Sequence, residues 1–240
     1  MDSCTIEEFR KFMLENSSIL VHFSTMPRMN RHNSFFPNDL RASVNNSHAY
    51  DLPCCCIKPG DSREMFAGEI GIIIDPVDIT SIGRLSYGDG GSGVTGNGKR
   101  EGGDHDPTIN NIELLFSRRT GYNEIFISNY KVVGIFVYLN SDGTSCYVTE
   151  NPREDELEGL DQQTRDMLWP NQSCNWATPA EIQNLFAGLS VFTLSNEGYM
   201  IFKRGRFFPN TYADLYRSGI CVTASKAANN VVNFIAGIFK

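Results

Sequence analysis

The sequence predicts an α+β fold whose strands pair mainly in the antiparallel sense. Two observations support this: short runs of β-branched and aromatic residues bounded by turn residues, and a few amphipathic segments that begin with helix-capping residues. With 240 residues, 41% of them hydrophobic, the chain can bury one large core or two small ones. We assign residues 1–150 to a core and residues 151–240 to a C-terminal α+β extension, which either shares that domain or forms a subdomain.

The first part of the chain predicts one helix and two buried strands. Thr5 and Glu8 have the spacing of a capping box, and the apolar residues that follow recur on one helical face: Ile6, Phe9, Phe12 and Met13. The runs "SILVHFS" (18–24) and "GEIGIIIDP" (68–76) predict buried strands. The "CCC" of residues 54–56 is typical of a buried strand or loop.

A glycine-rich segment follows. Eight glycines lie between Gly88 and Gly103, which predicts a long loop. Two nucleotide-binding patterns occur in it, "GSGVTG" (91–96) and "GVTGNGK" (93–99). Each pattern needs a following helix whose N-terminus faces the phosphates. Because "REGGDHDP" cannot begin a helix, we interpret both patterns as chance matches.

The remaining chain predicts further strands and three helices. The predicted strands are 110–117, 121–139, 144–150, 189–195 and 199–208, and the predicted helices are 152–169, 180–186 and 223–239. Asn140 to Gly143 predicts a hairpin turn. Thr178 with Glu181 has capping-box spacing at the start of the second of these helices.

Charge and cysteine content restrict the partners and the compartment. The formal net charge of −7 disfavours nucleic acid as a generic partner, and the basic stretch "SRRTGY" (117–122) is typical of a solvated turn. The seven cysteines include no C-x-x-C pair, so we expect reduced thiols and no metal. No apolar run approaches the ~20 residues of a membrane helix, and no signal peptide is recognisable. We therefore expect a soluble, cytoplasmic protein.

Two polar residues lie among apolar strand residues. Glu124 begins the run "EIFISNYKVVGIFV" (124–137), and a carboxylate beside a buried strand must find a partner, stay in water or serve chemistry. His22 lies within "ILVHFS" and, because strand side chains alternate, shares a face with Ser24. A lone His of this kind is usually satisfied by a backbone carbonyl.

Together, the His-x-Ser on an early strand and the Glu at the head of a later strand resemble the ADP-ribosyltransferase superfamily. The likeness is to its DarT-like members and to bacterial toxin and effector members. In that family the first strand carries His-x-Ser/Thr or an Arg, and a later strand has the form Glu, aliphatic run, short turn, Val-aliphatic, which residues 123–137 match. The resemblance covers roughly the first 150 residues. It implies split, mainly antiparallel sheets around an NAD cleft, with helical C-terminal additions.

The resemblance also implies a mono-ADP-ribosyltransferase that uses NAD as substrate and needs no metal. Glu124, exposed in a cleft, would be the catalytic residue that opposes the oxocarbenium charge. The NAD-binding residues would be His22, Phe23, Ser24 and Tyr87, with His22 and Ser24 fixing the ribose and the carboxamide. We therefore expect His22 and Glu124 to converge on one cleft. Arginine-specific members carry Glu-x-Glu, and Tyr122 stands at the first Glu of that pattern, which disfavours arginine as the acceptor. A protein or nucleic-acid acceptor stays open.

Two other classes stay open at this point. A cysteine hydrolase would pair a thiolate from Cys54, Cys55 or Cys56 with an imidazole from His22, His48 or His105. A non-enzymatic binding protein with a degenerate fold of this type would use Glu124 only as a strand cap.

Overall fold

The structure is a computed structural model, and its described residues cover most of the first 148 positions and part of the remainder. The described residues are 4–23, 52–61, 69–88, 103, 105–117, 123–148, 174–185, 189–196, 198–212, 215 and 220–222. Ser24, the basic residues of the 117–122 stretch, most of the glycine-rich loop and the predicted helices 152–169 and 223–239 lie outside these ranges.

Three α-helices, one short 3-10 helix (Ile79–Ser81) and twelve strands are formed by the described residues. The helices are α1 (Ile6–Glu15), α2 (Ile109–Ser117) and α3 (Pro179–Leu185). The strands are β1 (Ile19–Phe23), β2 (Leu52–Ile57), β3 (Ile70–Pro76), β4 (Ile82–Ser86), β5 (Glu124–Ile127), β6 (Tyr130–Val137), β7 (Ser145–Val148), β8 (Cys174–Ala177), β9 (Val191–Ser195), β10 (Gly198–Lys203), β11 (Arg206–Asn210) and β12 (Ile220–Val222). Within the same ranges, no helix has the length and apolar character needed to cross a membrane.

Ten of these strands form one sheet. Their order is β11-β10-β9-β6-β3-β1-β2-β5-β4, with β12 as a further partner of β6, while β7 and β8 form a separate pair. Among the described ladders, β6 with β9 is the parallel one and the others are antiparallel. The predicted α+β class with mainly antiparallel pairing is therefore confirmed. The C-terminal strands β9 to β12 continue the sheet formed by β1 to β6.

Apolar side chains pack on both faces of this sheet. One face, here called the helix face, includes Leu20 and Ile72 and packs against α1 and α2. The opposite face, here called the Phe136 face, includes Val21, Ile73 and Phe136. Because side chains alternate along a strand, these two sets fix the face of each neighbouring strand position.

Both capping boxes that the sequence predicts are confirmed. In α1 the Thr5 hydroxyl accepts from the Glu8 N–H at 3.2 Å, and the Glu8 carboxylate accepts from the Thr5 N–H at 2.7 Å. Two hydrogen bonds to the Glu8 carboxylate, first from the Thr5 N–H and then from the Thr5 hydroxyl, hold the pKa of Glu8 below its usual value. Thr178 and Glu181 make the same reciprocal pair at α3.

Two local predictions are wrong. Residues 110–117 form most of helix α2 rather than a strand, because its buried residues Ile112, Leu115 and Phe116 recur at helical spacing. The turn at Asn140 to Gly143 is present, since the Gly143 N–H donates to the Asn140 carbonyl at 2.9 Å. It does not close a hairpin, however, because β7 pairs with β8 rather than with β6.

The sheet divides along β2, whose two halves belong to different ladders. The later half pairs with β1, from Val21↔Cys55 to Ile19↔Ile57. The earlier half pairs with β5, from Leu52↔Ile127 to Cys54↔Ile125. Pro53 has no N–H to donate toward β1, which favours the end of the β1 ladder at this point.

Candidate functional site

His22 lies where β1 and β2 separate. Its Nδ1 is 2.8 Å from the carbonyl oxygen of Pro53. Because a carbonyl oxygen only accepts hydrogen bonds, Nδ1 is the donor in this contact. The side chain is 6% exposed, so this imidazole is a buried group that satisfies a backbone carbonyl at the division of the sheet.

Glu124 begins β5, as the sequence predicts, but it is 3% exposed. The expectation of a carboxylate exposed in a cleft is therefore wrong for this conformation, because all four residues of the short strand are buried. Glu124 pairs with Ser86 of β4. It alternates with Ile125, which packs on the helix face, and so Glu124 lies on the Phe136 face.

His22 and Glu124 lie on either side of β2 but on opposite faces of the sheet. His22 pairs with Ile72 and alternates with Val21, which places it on the helix face. With β2 between their strands, the two backbones are roughly 10 Å apart, two strand spacings. The described residues thus bring His22 and Glu124 to neighbouring positions without the predicted convergence on one cleft.

Three neighbours share the face of Glu124, and together these four residues are called the Glu124 site. Ser86 is buried opposite Glu124, and Arg84 pairs with Phe126 one step further along both strands. The Arg84 guanidinium carbon lies 3.8 Å from the centroid of the Phe126 ring. Arg84 and Ser86 were not predicted as site residues, although the alternation of Arg84-Leu85-Ser86 is the signal that could have identified them.

Asn123 anchors the start of β5. Its side-chain oxygen accepts from the Cys56 N–H at 3.1 Å, and its side-chain nitrogen donates to the Cys56 carbonyl at 3.4 Å. The amide thus reproduces a strand-pair contact one step beyond Glu124, at a residue that is 3% exposed. These two hydrogen bonds to β2 fix the backbone position from which the Glu124 side chain projects.

We predict that Asn123→Ala lowers the free energy of unfolding by about 1–3 kcal/mol, because it removes both buried contacts to Cys56. Urea denaturation followed by circular dichroism measures this difference. The matched control is Asn110→Ala on α2, where the side chain is exposed and the change is expected to stay within about 0.5 kcal/mol. Equal effects at both positions would contradict an anchoring role for Asn123.

The other predicted NAD-binding residues do not gather around Glu124. Phe23 is 3% exposed and packs edge-on against Phe136, with ring centroids 5.6 Å apart. Tyr87 packs toward the helix face and stacks on His105, with centroids 4.2 Å apart and rings 26° from parallel. Ser24 is outside the described residues.

The cysteines of β2 lack the environment that activates a nucleophilic thiol. Cys54, Cys55 and Cys56 are buried free thiols, which confirms the predicted buried strand. Burial, followed by the charges of Cys55 and Glu124, raises the pKa of Cys54 well above its usual value. A cysteine hydrolase needs the reverse shift, so this alternative is disfavoured. In the described ranges, no three His, Cys, Asp or Glu residues are arranged to hold a metal ion.

Comparison with known proteins provides no assignment. The chain matches no protein-family model, no curated protein and no solved structure.

Proposed function

We propose that this protein is an NAD-dependent mono-ADP-ribosyltransferase acting on a macromolecular acceptor, with Glu124 as its catalytic residue. The observation that carries the proposal is the position of Glu124 as a buried carboxylate at the first residue of β5, beside the strand along which the sheet divides. A short strand, the turn at Ser128 and Asn129 and the apolar strand β6 follow it. This is the arrangement that the resemblance implies for the catalytic strand.

The chemistry explains why a carboxylate stands there. In ADP-ribosyl transfer the bond between ribose C1′ and the nicotinamide nitrogen breaks, and its electron pair leaves with nicotinamide. The ribose passes through an oxocarbenium-like state, which an acceptor nucleophile attacks at C1′ while losing its proton. A carboxylate that accepts a hydrogen bond from the 2′-hydroxyl stabilises the positive charge, as carboxylates do in glycoside hydrolases.

The Glu124 site supplies further groups for such a substrate. Arg84 places a cation on the same face, and a guanidinium is well suited to the pyrophosphate of NAD. The Phe126 ring stabilises the guanidinium at this position by a cation–π contact. The buried Ser86 hydroxyl lies opposite Glu124 and suits a ribose hydroxyl.

His22 has a narrower role in this proposal than the resemblance alone implies. Because Nδ1 donates to the Pro53 carbonyl, Nε2 is the ring nitrogen that we propose for contact with a ribose hydroxyl. The side chains of His22 and Glu124 project from opposite faces of the sheet. One NAD molecule therefore contacts both only at the point on β2 where pairing with β1 ends and pairing with β5 begins. The main role of His22 is therefore structural, through its hydrogen bond to Pro53 where β1 and β2 separate, and contact with substrate is a secondary role.

Incubation of the protein with adenylate-labelled NAD and a cell lysate tests the proposal. We expect release of nicotinamide together with label on macromolecules, and digestion by nuclease or protease then identifies the acceptor class. Thermal unfolding in the presence of NAD separates binding from turnover, because a ligand that binds the native state raises the melting temperature. If the protein neither releases nicotinamide nor is stabilised by NAD, the assignment is refuted. Stabilisation without release would indicate a degenerate binding protein.

A further inference from the structure

The hairpin between β10 and β11 carries three cations at its tip. Lys203, Arg204 and Arg206 are exposed and surround Gly205, in the sequence "KRGR". Within the described part of the chain, no carboxylate lies within ion-pair distance of any of the three, whereas Arg10 and Lys11 do have such partners. This cluster is called the basic tip.

The basic tip is unfavourable for the hairpin itself. Lys203 and Arg206 are direct partners across the two strands, and like charges in such a pair repel each other. Arg204 has φ of +51° and Gly205 φ of +78°, which is the backbone of a turn that prefers Asn-Gly. An Arg in the first of these positions adds a charge where a better turn residue is available. Local sequence preferences that fail together in this way are expected where a residue serves binding.

The arrangement around Arg206 points to a planar anionic partner. Its guanidinium carbon lies over the Phe208 ring, 4.6 Å from the ring centroid, which is a cation–π contact. Arg206 is exposed, and the guanidinium face turned away from Phe208 is therefore open to solvent. Nucleic-acid bases stack on such guanidinium planes, while neighbouring cations contact the phosphates.

We propose that the basic tip is a binding surface for single-stranded nucleic acid. The tip residues 203–206 include no large apolar side chain for insertion into a membrane, and the guanidinium over the Phe208 ring favours a base over a peptide carboxylate. The net charge of −7 opposes polyanion binding by the molecule as a whole, so binding depends on this local cluster. β11 ends the main sheet, and seven strand spacings place it roughly 30 Å from β5. The proposal is thus independent of the chemistry at Glu124.

Fluorescence anisotropy with a labelled 12-nucleotide single strand tests this surface. Two phosphate contacts, from Lys203 and Arg204, predict that raising salt from 50 to 200 mM weakens binding by about 7-fold, from a slope of about −0.7 per contact on single strands. The test variant is Lys203→Gln/Arg204→Asn/Arg206→Gln. Arg204→Asn creates the preferred turn dipeptide, so we expect this variant to stay folded, with its melting temperature as the check. Its affinity should fall by at least 10-fold.

The matched control removes the same number of positive charges elsewhere, as Lys11→Gln/Lys58→Gln/Lys131→Gln. We expect this control to bind within about 3-fold of the original protein, since none of the three lysines belongs to the basic tip and salt screens charges that do not contact the ligand. Three outcomes would overturn the proposal: no binding at 50 mM salt, equal losses in the two triple variants, or equal binding to polyglutamate or phosphatidylserine vesicles. NAD turnover is measured on the same preparations, and its presence or absence does not affect the conclusion.

Discussion

Glu124→Gln is expected to lower NAD hydrolysis and transfer by about 10²-fold or more. The substitution keeps the size of the side chain and part of its hydrogen bonding but removes the negative charge that opposes the oxocarbenium. Loss of one preorganised electrostatic group has an effect of this size in other enzymes. NAD binding should fall far less, because the other groups of the Glu124 site remain. Nicotinamide release, with kcat and KM determined separately, measures the change.

The stability of the same variant separates catalysis from structure. Glu124 is nearly fully buried, and a neutral amide costs less to desolvate than a carboxylate, so the melting temperature should be unchanged or higher. Glu113→Gln on α2 is the control, because this carboxylate is exposed and distant from the reacting groups. A less stable Glu124→Gln protein with normal turnover per folded molecule would show that Glu124 is a structural residue.

Gly71→Ala is expected to lower the free energy of unfolding by about 2–3 kcal/mol, the upper range for overpacking a core. Gly71 lies on β3 opposite Phe23, where β1 and β3 approach closely. A Cβ at this position would lie 2.4 Å from Val21 Cγ1 and 2.8 Å from the His22 carbonyl oxygen. Both contacts are too short, so β1 must move away from β3. Equilibrium denaturation in urea measures the loss.

A double-mutant cycle with Val21→Ala identifies the cause. Removing the Val21 methyl groups takes away the shorter of the two contacts, while the contact with the His22 carbonyl remains. The double variant should therefore lose less stability than the sum of the two single variants, by at least about 0.5 kcal/mol. Additive losses would mean that the Val21 contact is not the source of the Gly71 requirement.

Two strands of the core could be predicted because their apolar runs are short and rich in β-branched residues. β1 and β3 lie within the predicted runs 18–24 and 68–76, and the two capping boxes place α1 and α3. Helix α2 was missed because its apolar residues also suit a short buried strand, and such runs are ambiguous without length or capping signals. The Thr108 hydroxyl, which accepts from the Asn111 N–H at 3.3 Å, is the capping signal that distinguishes them.

The candidate site could be predicted only in part. Sequence alternation places Glu124 at a strand start and His22 inside a strand, and both positions are correct. It does not show how those strands are registered against β2, and a shift of one residue moves a side chain to the other face. The companions of Glu124 on β4 depend on the same long-range register. The register between segments this distant in sequence depends on contacts throughout the sheet, and local sequence patterns do not encode those contacts.

The outer edge of β6 has a consequence for the synthesis of this protein. That edge is completed by two separate strands: β9 pairs in parallel with Ile135 and Phe136, and β12 pairs antiparallel with residues 130–132. Both are made after β6, so in a nascent chain this edge of β6 stays incomplete until translation reaches residue 222, an interval of about ten seconds at ordinary elongation rates, while the other edge pairs with β3. A fragment ending at residue 150 would keep this open edge permanently and would be prone to edge-to-edge association. The C-terminal part of the chain therefore acts as the intramolecular protection of its own N-terminal sheet.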